Sequence, residues 1–260
     1  MCIIAIKPKN VAMPTKEILE RMFDKNPHGA GVVYTTEKHT IKIVKGLMSK
    51  NEFLKVCEKI PTTAVAILHA RISTSGGVCK ELTHPYELTN DFKKLRRLTT
   101  EIANGYAVAH NGVFNEFGTM FEANDTMQFI ATYLTALEDL KKNANGTILD
   151  ADIKPIINKL VSGSRLVIID NEGNWQKYGS NWEEHNGVYY SNGGYKKQEN
   201  FWHGWKNWND YCWDNYGTYY QNEQRRERER EKQKEKELLE ELQKEYELEE
   251  IKKERKNGGK

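Results

Sequence analysis

The chain has 260 residues and a formal net charge of +2, enough length for one sizeable domain with additional segments. Thirteen basic and thirteen acidic residues balance within residues 221–260, so even this segment lacks the basic surface of a nucleic-acid-binding protein. The four cysteines are scattered without Cys-x-x-Cys or Cys/His ligand spacing, which argues against a zinc site and a disulfide framework. We expect no metal and no cofactor.

Apolar periodicity and turn signals predict both strands and helices through about residue 170. Strands are predicted at residues 2–7, 29–34, 40–44, 63–70, 105–110 and 165–170, with a turn at 171–174. Helices are predicted at residues 15–23, 50–60 and 153–160, and from an N-cap at Asn124 or Asp125 to about residue 140. Because these elements do not alternate as strict βαβ units, antiparallel sheets with packed helices are favoured over a parallel sheet.

The composition changes after the last predicted strand. All six tryptophans lie between Trp175 and Trp213. Residues 196–222 are an aromatic, Asn- and Gly-rich connecting segment, interpreted either as a lid or anchor or as a weakly ordered linker. Residues 223–256 are predicted to form a charged helix with Glu–Lys pairs four residues apart and a short apolar seam for self-association or a protein partner. Residues 1–195 are the predicted domain, and residues 257–260 are a predicted disordered tail.

The sequence also predicts where the protein resides. No apolar run approaches the ~20 residues that a transmembrane helix needs. The apolar N-terminal stretch is too short for a signal peptide and lacks a preceding basic region. Scattered cysteines fit a reducing compartment. We expect a soluble, cytoplasmic protein with neither a membrane nor a nucleic acid as partner.

Cys2 is the first candidate for chemistry. Removal of Met1 would leave one residue with a thiol of pKa about 8.5 and an α-amine of pKa about 7.7–8.0. The amine can then act as a base toward its own side chain, as it does in N-terminal nucleophile enzymes. The alternative interpretation is that Cys2 is a small buried apolar residue of the first strand.

Three further segments contain groups suited to a polar substrate. Arg71 follows a buried strand and opens a loop rich in Ser, Thr and Gly, where it forms either a fork for a carboxylate or a surface ion pair. Asn111-Gly112 follows another strand and is either a hairpin turn or a pair of donors for an oxyanion. Asp125 is either a helix cap or an acceptor for a substrate ammonium group.

Together these segments resemble the class II glutamine amidotransferases, the glutaminase domains of the N-terminal nucleophile hydrolase superfamily. The order and approximate spacing agree over roughly residues 2–195. The matching segments are Cys2, Arg71-Ile72-Ser73-Thr74-Ser75-Gly76, His110-Asn111-Gly112 and Asn124-Asp125-Thr126. Secondary matches lie at residues 26–31 and 83–86, and residues 187–192 resemble the closing segment of the family. Three positions depart from the family: Ser75 replaces a frequent His, Asn124 a usual Ser, and His28 a common Asp.

The resemblance implies both a fold and a reaction. The implied fold is a four-layer αββα sandwich of two antiparallel sheets, the type found in N-terminal nucleophile hydrolases. Cys2 would attack the side-chain amide of glutamine with its own α-amine as general base. Asn111 and the Gly112 N–H would hold the tetrahedral oxyanion, and ammonia and glutamate would be released.

The resemblance also implies the residues that bind the substrate. Arg71 would bind the α-carboxylate of glutamine, and Thr74 would line that carboxylate pocket together with Ser75. Asp125 would bind the α-ammonium group. His84 is interpreted as structural rather than catalytic.

Three functional hypotheses remain open at this stage. The leading one is a Cys-dependent glutaminase-type amidohydrolase that acts alone or supplies ammonia to a separate acceptor protein. A second keeps the Cys2 chemistry but cleaves another γ-glutamyl or small amide. The third is a non-catalytic binding or assembly protein that retains the fold, and the complete set of candidate residues argues against it.

Overall fold

The computed structural model describes residues 2–73, 77–117 and 123–197. The chain divides into two units, Met1–Gln198 and Glu199–Lys260. The predicted charged helix at 223–256, the predicted tail at 257–260 and nearly all of the predicted aromatic segment lie outside the described residues. Those three predictions therefore remain predictions.

The first unit is a mixed α/β structure with two antiparallel sheets. Its described strands are β1 (Ile3–Lys7), β2 (Ala30–Thr35), β3 (Ile41–Leu47), β4 (Ala66–Ala70), β5 (Tyr86–Glu87), β6 (Thr99–Ile102), β7 (Tyr106–Asn111), β8 (Arg165–Asp170), β9 (Trp175–Tyr178), β10 (Glu183–His185) and β11 (Val188–Tyr190). Its described helices are α1 (Lys16–Asp24), α2 (Lys50–Cys57), α3 (Phe92–Leu95), α4 (Asp125–Phe129), α5 (Thr135–Asn143) and α6 (Lys154–Leu160).

The larger sheet has seven strands in the order β10-β11-β1-β4-β2-β3-β6, and the smaller has four in the order β5-β7-β8-β9. Every strand pair in both sheets is antiparallel. The sequence-based preference for antiparallel sheets is therefore confirmed. In the larger sheet β1 lies between β4 and β11, so the strand that follows Cys2 is paired on both edges.

Alternating side chains of the central strands enter different hydrophobic clusters, as the two-residue period of a strand requires. Ile4 and Ile6 of β1 share an inner cluster with Val167 and Ile169 of β8, which joins the two sheets. Ile3 and Ala5, which lie on the opposite face of β1, pack instead with α1 and α2 in a second cluster. The other face of β8 packs with α4 through α6 in a third.

The helices follow the signals in their sequences. In α1 the four buried residues recur three and four positions apart: Ile18, Leu19, Met22 and Phe23. Helix α2 begins at a capping box, in which Ser49 Oγ accepts from the Glu52 N–H and the Glu52 carboxylate accepts from the Ser49 N–H. None of the described helices is long and apolar enough to cross a membrane.

The predicted helix from residue 125 to about 140 exists but is not uniform. It consists of α4, a π-helical turn at Ile130–Leu134, and α5. Thr135 Oγ1 donates to the Ala131 carbonyl at 2.8 Å, a side-chain bond that competes with the regular backbone ladder. The period of the apolar residues predicted the helix, but it contains no signal for the π-helical turn.

Candidate active site

Cys2 lies immediately before β1, beside the end of β4. The antiparallel register pairs Ile3 with Ala70, so Cys2 faces the first residues that leave β4. Its Sγ lies 3.4 Å from both the N–H and the carbonyl oxygen of Ile72. Asn192 Nδ2 donates to the Cys2 carbonyl at 2.7 Å, which fixes the main chain at this residue.

Burial raises the pKa of the Cys2 thiol above its ordinary value, although the Ile72 N–H and the charge of Arg71 act in the opposite direction. Desolvation disfavours the thiolate, so the thiol remains protonated at neutral pH in this environment. A nucleophilic Cys2 therefore needs a nearby base to accept its proton.

Arg71 is the first residue after β4 and is buried, with 4 % of its surface exposed. Its N–H donates to the Gly29 carbonyl at 2.8 Å, and its own carbonyl accepts from the His28 N–H at 2.9 Å. Its Nη2 donates to Ser73 Oγ at 3.2 Å. Arg71 is therefore not a surface residue, and its guanidinium lies buried beside Cys2.

Asn111 is the last residue of β7, which pairs with β5 and β8. A tight hairpin at Asn111-Gly112 is therefore wrong, because the antiparallel partner β8 begins only at Arg165. Asn111 is 1 % exposed, and its Nδ2 donates to Ser191 Oγ at 2.9 Å. Ser191 Oγ also accepts from the Ile4 N–H at 2.9 Å, so Asn111 reaches the strand that follows Cys2.

Gly112 occupies a position where no larger residue fits. A Cβ atom built there would overlap the side chain of Ser164 and lie 3.0 Å from His110 Nε2. The main chain after Asn111 can therefore pass close to Ser164 only with glycine in place. This explains the Asn-Gly pair by close packing at the end of β7 rather than by a hairpin turn.

Asp125 lies at the first position of α4, and Asn124 rather than Asp125 is the N-cap. Asn124 Oδ1 accepts from the Met127 N–H at 2.9 Å. One carboxylate oxygen of Asp125 accepts from the Phe114 N–H at 2.8 Å, which attaches the segment after Gly112 to the helix. The other oxygen has no hydrogen-bonding partner among the described residues, so it is available to a substrate cation.

The predicted substrate-binding residues Thr74 and Ser75 lie outside the described residues. The structure brings Cys2, Arg71 and Ile72 into one neighbourhood at the end of β4. It connects Asn111 to that neighbourhood through Ser191 and connects Asp125 to the segment that follows Gly112. In residues 2–73, 77–117 and 123–197, no group of three or more His, Cys, Asp or Glu side chains is arranged to hold a metal ion.

Three buried histidines, His69 on β4, His110 on β7 and His84, form a group where the two sheets meet. The ring centroids of His69 and His84 are 4.3 Å apart, and those of His84 and His110 are 6.4 Å apart. Burial lowers the pKa of His69 and of His110 to about 3, and burial also lowers that of His84 well below its ordinary value. These rings are therefore neutral at pH 7, and the structural interpretation of His84 stays a prediction.

Sequence reasoning did not single out Ser191, Asn192 or His69. Ser191 and Asn192 end the Gly-Val-Tyr-Tyr-Ser-Asn segment, which resembles the closing segment of the family and to which the resemblance assigns no side-chain role. Their side chains bond Asn111 and Cys2, which are 80 and 190 positions away along the chain. Local sequence patterns carry no information on contacts between residues that are so far apart in the chain.

Comparison with known proteins adds no family assignment. No protein-family model matches the chain, and no curated protein sequence matches it. The functional interpretation therefore depends on the geometry of the site and on the motifs in the sequence.

Proposed function

We propose that this protein is a Cys-nucleophile amidohydrolase of the class II glutamine amidotransferase type, which releases ammonia from the side-chain amide of glutamine. The proposal includes the four-layer αββα sandwich of the N-terminal nucleophile hydrolases. The two antiparallel sheets, their shared inner cluster and the helix-packed clusters on their outer faces support that fold.

The observation that carries the proposal is the register of β1 against β4. It places the Cys2 thiol 3.4 Å from the main chain of Ile72, next to the buried guanidinium of Arg71. The planar guanidinium of Arg71 carries donors in the fork geometry that binds a substrate carboxylate through two hydrogen bonds. The second carboxylate oxygen of Asp125, which accepts no hydrogen bond from the described residues, supplies the complementary anion for an α-ammonium group.

The reaction then follows from the properties of each group. After removal of Met1, the α-amine of Cys2 accepts the thiol proton through water, and the thiolate attacks the amide carbon of glutamine. The amide N–H groups of Asn111 and the backbone N–H of Gly112 stabilise the oxyanion. The proton passes to the leaving nitrogen, ammonia departs, and water cleaves the thioester to give glutamate and free Cys2.

Mass spectrometry of the purified protein tests this proposal directly. Incubation with diazo-oxo-norleucine, an electrophilic glutamine analogue, should give loss of Met1 and one adduct on Cys2. Cys2→Ala should remove the adduct, whereas Cys79→Ser, a change at a second partly buried free thiol, should retain it. Retention of Met1 in protein purified from cells would contradict the proposal, because the general base would be absent.

The identity of the amide is tested by turnover. We expect glutamine to be hydrolysed in preference to other γ-glutamyl amides, because Arg71 would bind the α-carboxylate and Asp125 the α-ammonium group of a free amino acid. Faster turnover of a γ-glutamyl amide would favour the second enzymatic hypothesis. Ammonia release without an added protein would show that the chain acts alone, and release only with a partner would indicate an acceptor that docks on it.

A cytoplasmic location belongs to the same proposal. The mechanism needs a free thiol at Cys2, and a reducing compartment keeps thiols reduced. Cys2, Cys57 and Cys79 are all free.

A further inference from the structure

Ser191 follows β11 directly and is completely buried. Its N–H donates to the Ile4 carbonyl at 3.0 Å, and its Oγ accepts from the Ile4 N–H at 2.9 Å. The same Oγ lies 2.9 Å from the side-chain amide nitrogen of Asn111. One hydroxyl thus connects the strand that follows Cys2 with the end of β7 in the other sheet.

The assigned direction of the amide leaves two polar groups unsatisfied. Ser191 Oγ accepts two hydrogen bonds, and no described residue accepts its hydroxyl hydrogen. Asn111 Oδ1 is buried and has no partner among the described residues. A buried polar atom without a partner is unfavourable, because it has given up its hydrogen bonds to water. Both defects therefore require an explanation.

A half-turn of the Asn111 amide satisfies the Ser191 hydroxyl hydrogen and Asn111 Oδ1, and it leaves the two amide N–H groups as donors that are unpaired within the described part of the chain. The oxygen and nitrogen of an asparagine amide are nearly identical in shape, so their assignment depends on the hydrogen-bond network. After the half-turn, the Ser191 hydroxyl donates to Asn111 Oδ1 while it still accepts from the Ile4 N–H. The two amide N–H groups then occupy the buried position where Oδ1 now lies, which has no protein acceptor among the described residues.

We propose that Ser191 is a positioning residue, whose hydroxyl holds Oδ1 of Asn111 and so directs the amide N–H groups toward the reacting carbonyl oxygen. This inference rests on the proposed amidohydrolase function, in which Asn111 supplies an oxyanion donor. Ser191 itself does not touch the substrate. Its bond to Ile4 ties this orientation to the strand that carries the nucleophile.

Steady-state kinetics of single and double variants test the role of Ser191. Ser191→Ala should lower kcat by about 10- to 100-fold with KM changed less than about threefold, since one oxyanion donor is worth about 10²–10³ in kcat. Ser191→Thr, which keeps the hydroxyl, should recover most of the loss. In an Asn111→Ala background, Ser191→Ala should cause no further loss of kcat, because the group it orients is gone.

Thr35→Val is the matched control. Thr35 Oγ1 accepts from the Val65 N–H at 2.9 Å, so Thr35→Val, like Ser191→Ala, removes a hydroxyl that satisfies a backbone donor. Thr35 lies at the end of β2 that is far from the candidate site. It should lower stability without changing kcat. An equal loss of kcat from Ser191→Ala in the parent and in the Asn111→Ala background would overturn the positioning role.

Neutron diffraction of the deuterated parent protein tests the orientation without any variant. The expected result is a deuteron on Ser191 Oγ that points to Asn111 Oδ1. Deuterons on Asn111 Nδ2 that point to Ser191 Oγ would overturn the inference. This measurement does not depend on turnover. If the Cys2 labelling test fails, the proposed function is refuted, and neutron diffraction still determines the orientation of the Asn111 amide.

Discussion

At the scale of single residues, the candidate site combines a buried permanent cation with neutral donors and one partly exposed carboxylate. Arg71 keeps its charge under all physiological conditions, and the amide of Asn111 has no charge to lose. The Cys2 thiol is the group whose protonation must change, and burial raises its pKa. In the proposed reaction, the reactivity of the site is therefore controlled by the base that serves Cys2.

Asn111→Ala should lower kcat for glutamine by about 10²–10³ and change KM much less, because the lost donor acts on the transition state. Asn111→Asp, which has a similar shape but replaces the donor with a charge, should lose at least as much activity. Steady-state kinetics measure both. Unchanged kcat in Asn111→Ala would contradict the role of this residue.

Gly112→Ala should destabilise the fold by roughly 1–3 kcal/mol, because the new methyl group overlaps Ser164 in a packed region. The double variant Gly112→Ala/Ser164→Gly should recover much of that loss, since it removes the overlapping side chain. Urea unfolding of the two variants and of Ser164→Gly alone measures the effect. A pair that is no more stable than Gly112→Ala would show that the cost has another origin.

At the scale of elements, the start of α4 connects two segments of the smaller sheet. Asn124 caps the helix, and its Nδ2 donates to the hydroxyl of Tyr86 on β5 at 2.7 Å. Asp125, the next residue, bonds the main chain of Phe114. The helix start therefore holds β5 and the segment after Gly112 in one arrangement.

Asn124→Ala should lower the free energy of unfolding by about 2 kcal/mol or more, because it removes a cap worth about 1 kcal/mol and also leaves the Tyr86 hydroxyl without its partner. Ser49→Ala, at the exposed capping box of α2, should cost about 1 kcal/mol. Asn124→Ser should fall between them, since it keeps the cap acceptor. Urea unfolding gives all three values, and an equal or larger loss for Ser49→Ala would disprove this ranking.

At the scale of the whole molecule, the two sheets are joined by apolar packing and by a buried group of histidines. His69 Nε2 lies 3.1 Å from the His110 carbonyl, a contact between β4 and β7 across the two sheets. Burial is the largest cause of the lowered pKa of His84. The neighbouring His69 and His110 and, to a smaller extent, the cations Arg71 and Lys45 also disfavour its protonation. Protonation of this histidine group therefore opposes the association of the sheets.

Stability should fall as the pH is lowered below about 6.5, the pKa of an unperturbed histidine. In the folded state the pKa of His69 and of His110 is about 3, so between these values the unfolded state binds more protons and is favoured by acid. Above pH 6.5 this contribution is constant. Each histidine should contribute roughly 1 kcal/mol of lost stability per pH unit.

Urea unfolding between pH 5 and pH 8 measures this dependence. His84→Phe keeps a ring between its neighbours but cannot be protonated, so its stability should decrease less steeply with acid than that of the parent. Equal slopes in the parent and the variant would show that His84 does not contribute.

Much of the secondary structure was predictable because it depends on local periodicity. The strongly apolar strands β1, β2, β4, β7 and β8 and the amphipathic helices were predicted close to their observed positions, and the strand predicted at 40–44 is β3, which extends to Leu47. The predicted helix at 50–60 ends earlier, at Cys57, and the predicted strand at 63–70 begins later, at Ala66. Strands β5, β6 and β9 through β11 were missed because they are short and their residues are largely polar or aromatic.

The sequence by itself determined which residue types could do chemistry and which segments would form strands and helices, because both depend on neighbouring residues. Only the tertiary structure decided that Arg71 is buried beside Cys2, that Asn111 ends a strand rather than opening a hairpin, and that Ser191 lies against its amide. These contacts depend on strand register and on packing between the two sheets. Register and packing join residues far apart in the chain, and no local pattern records them.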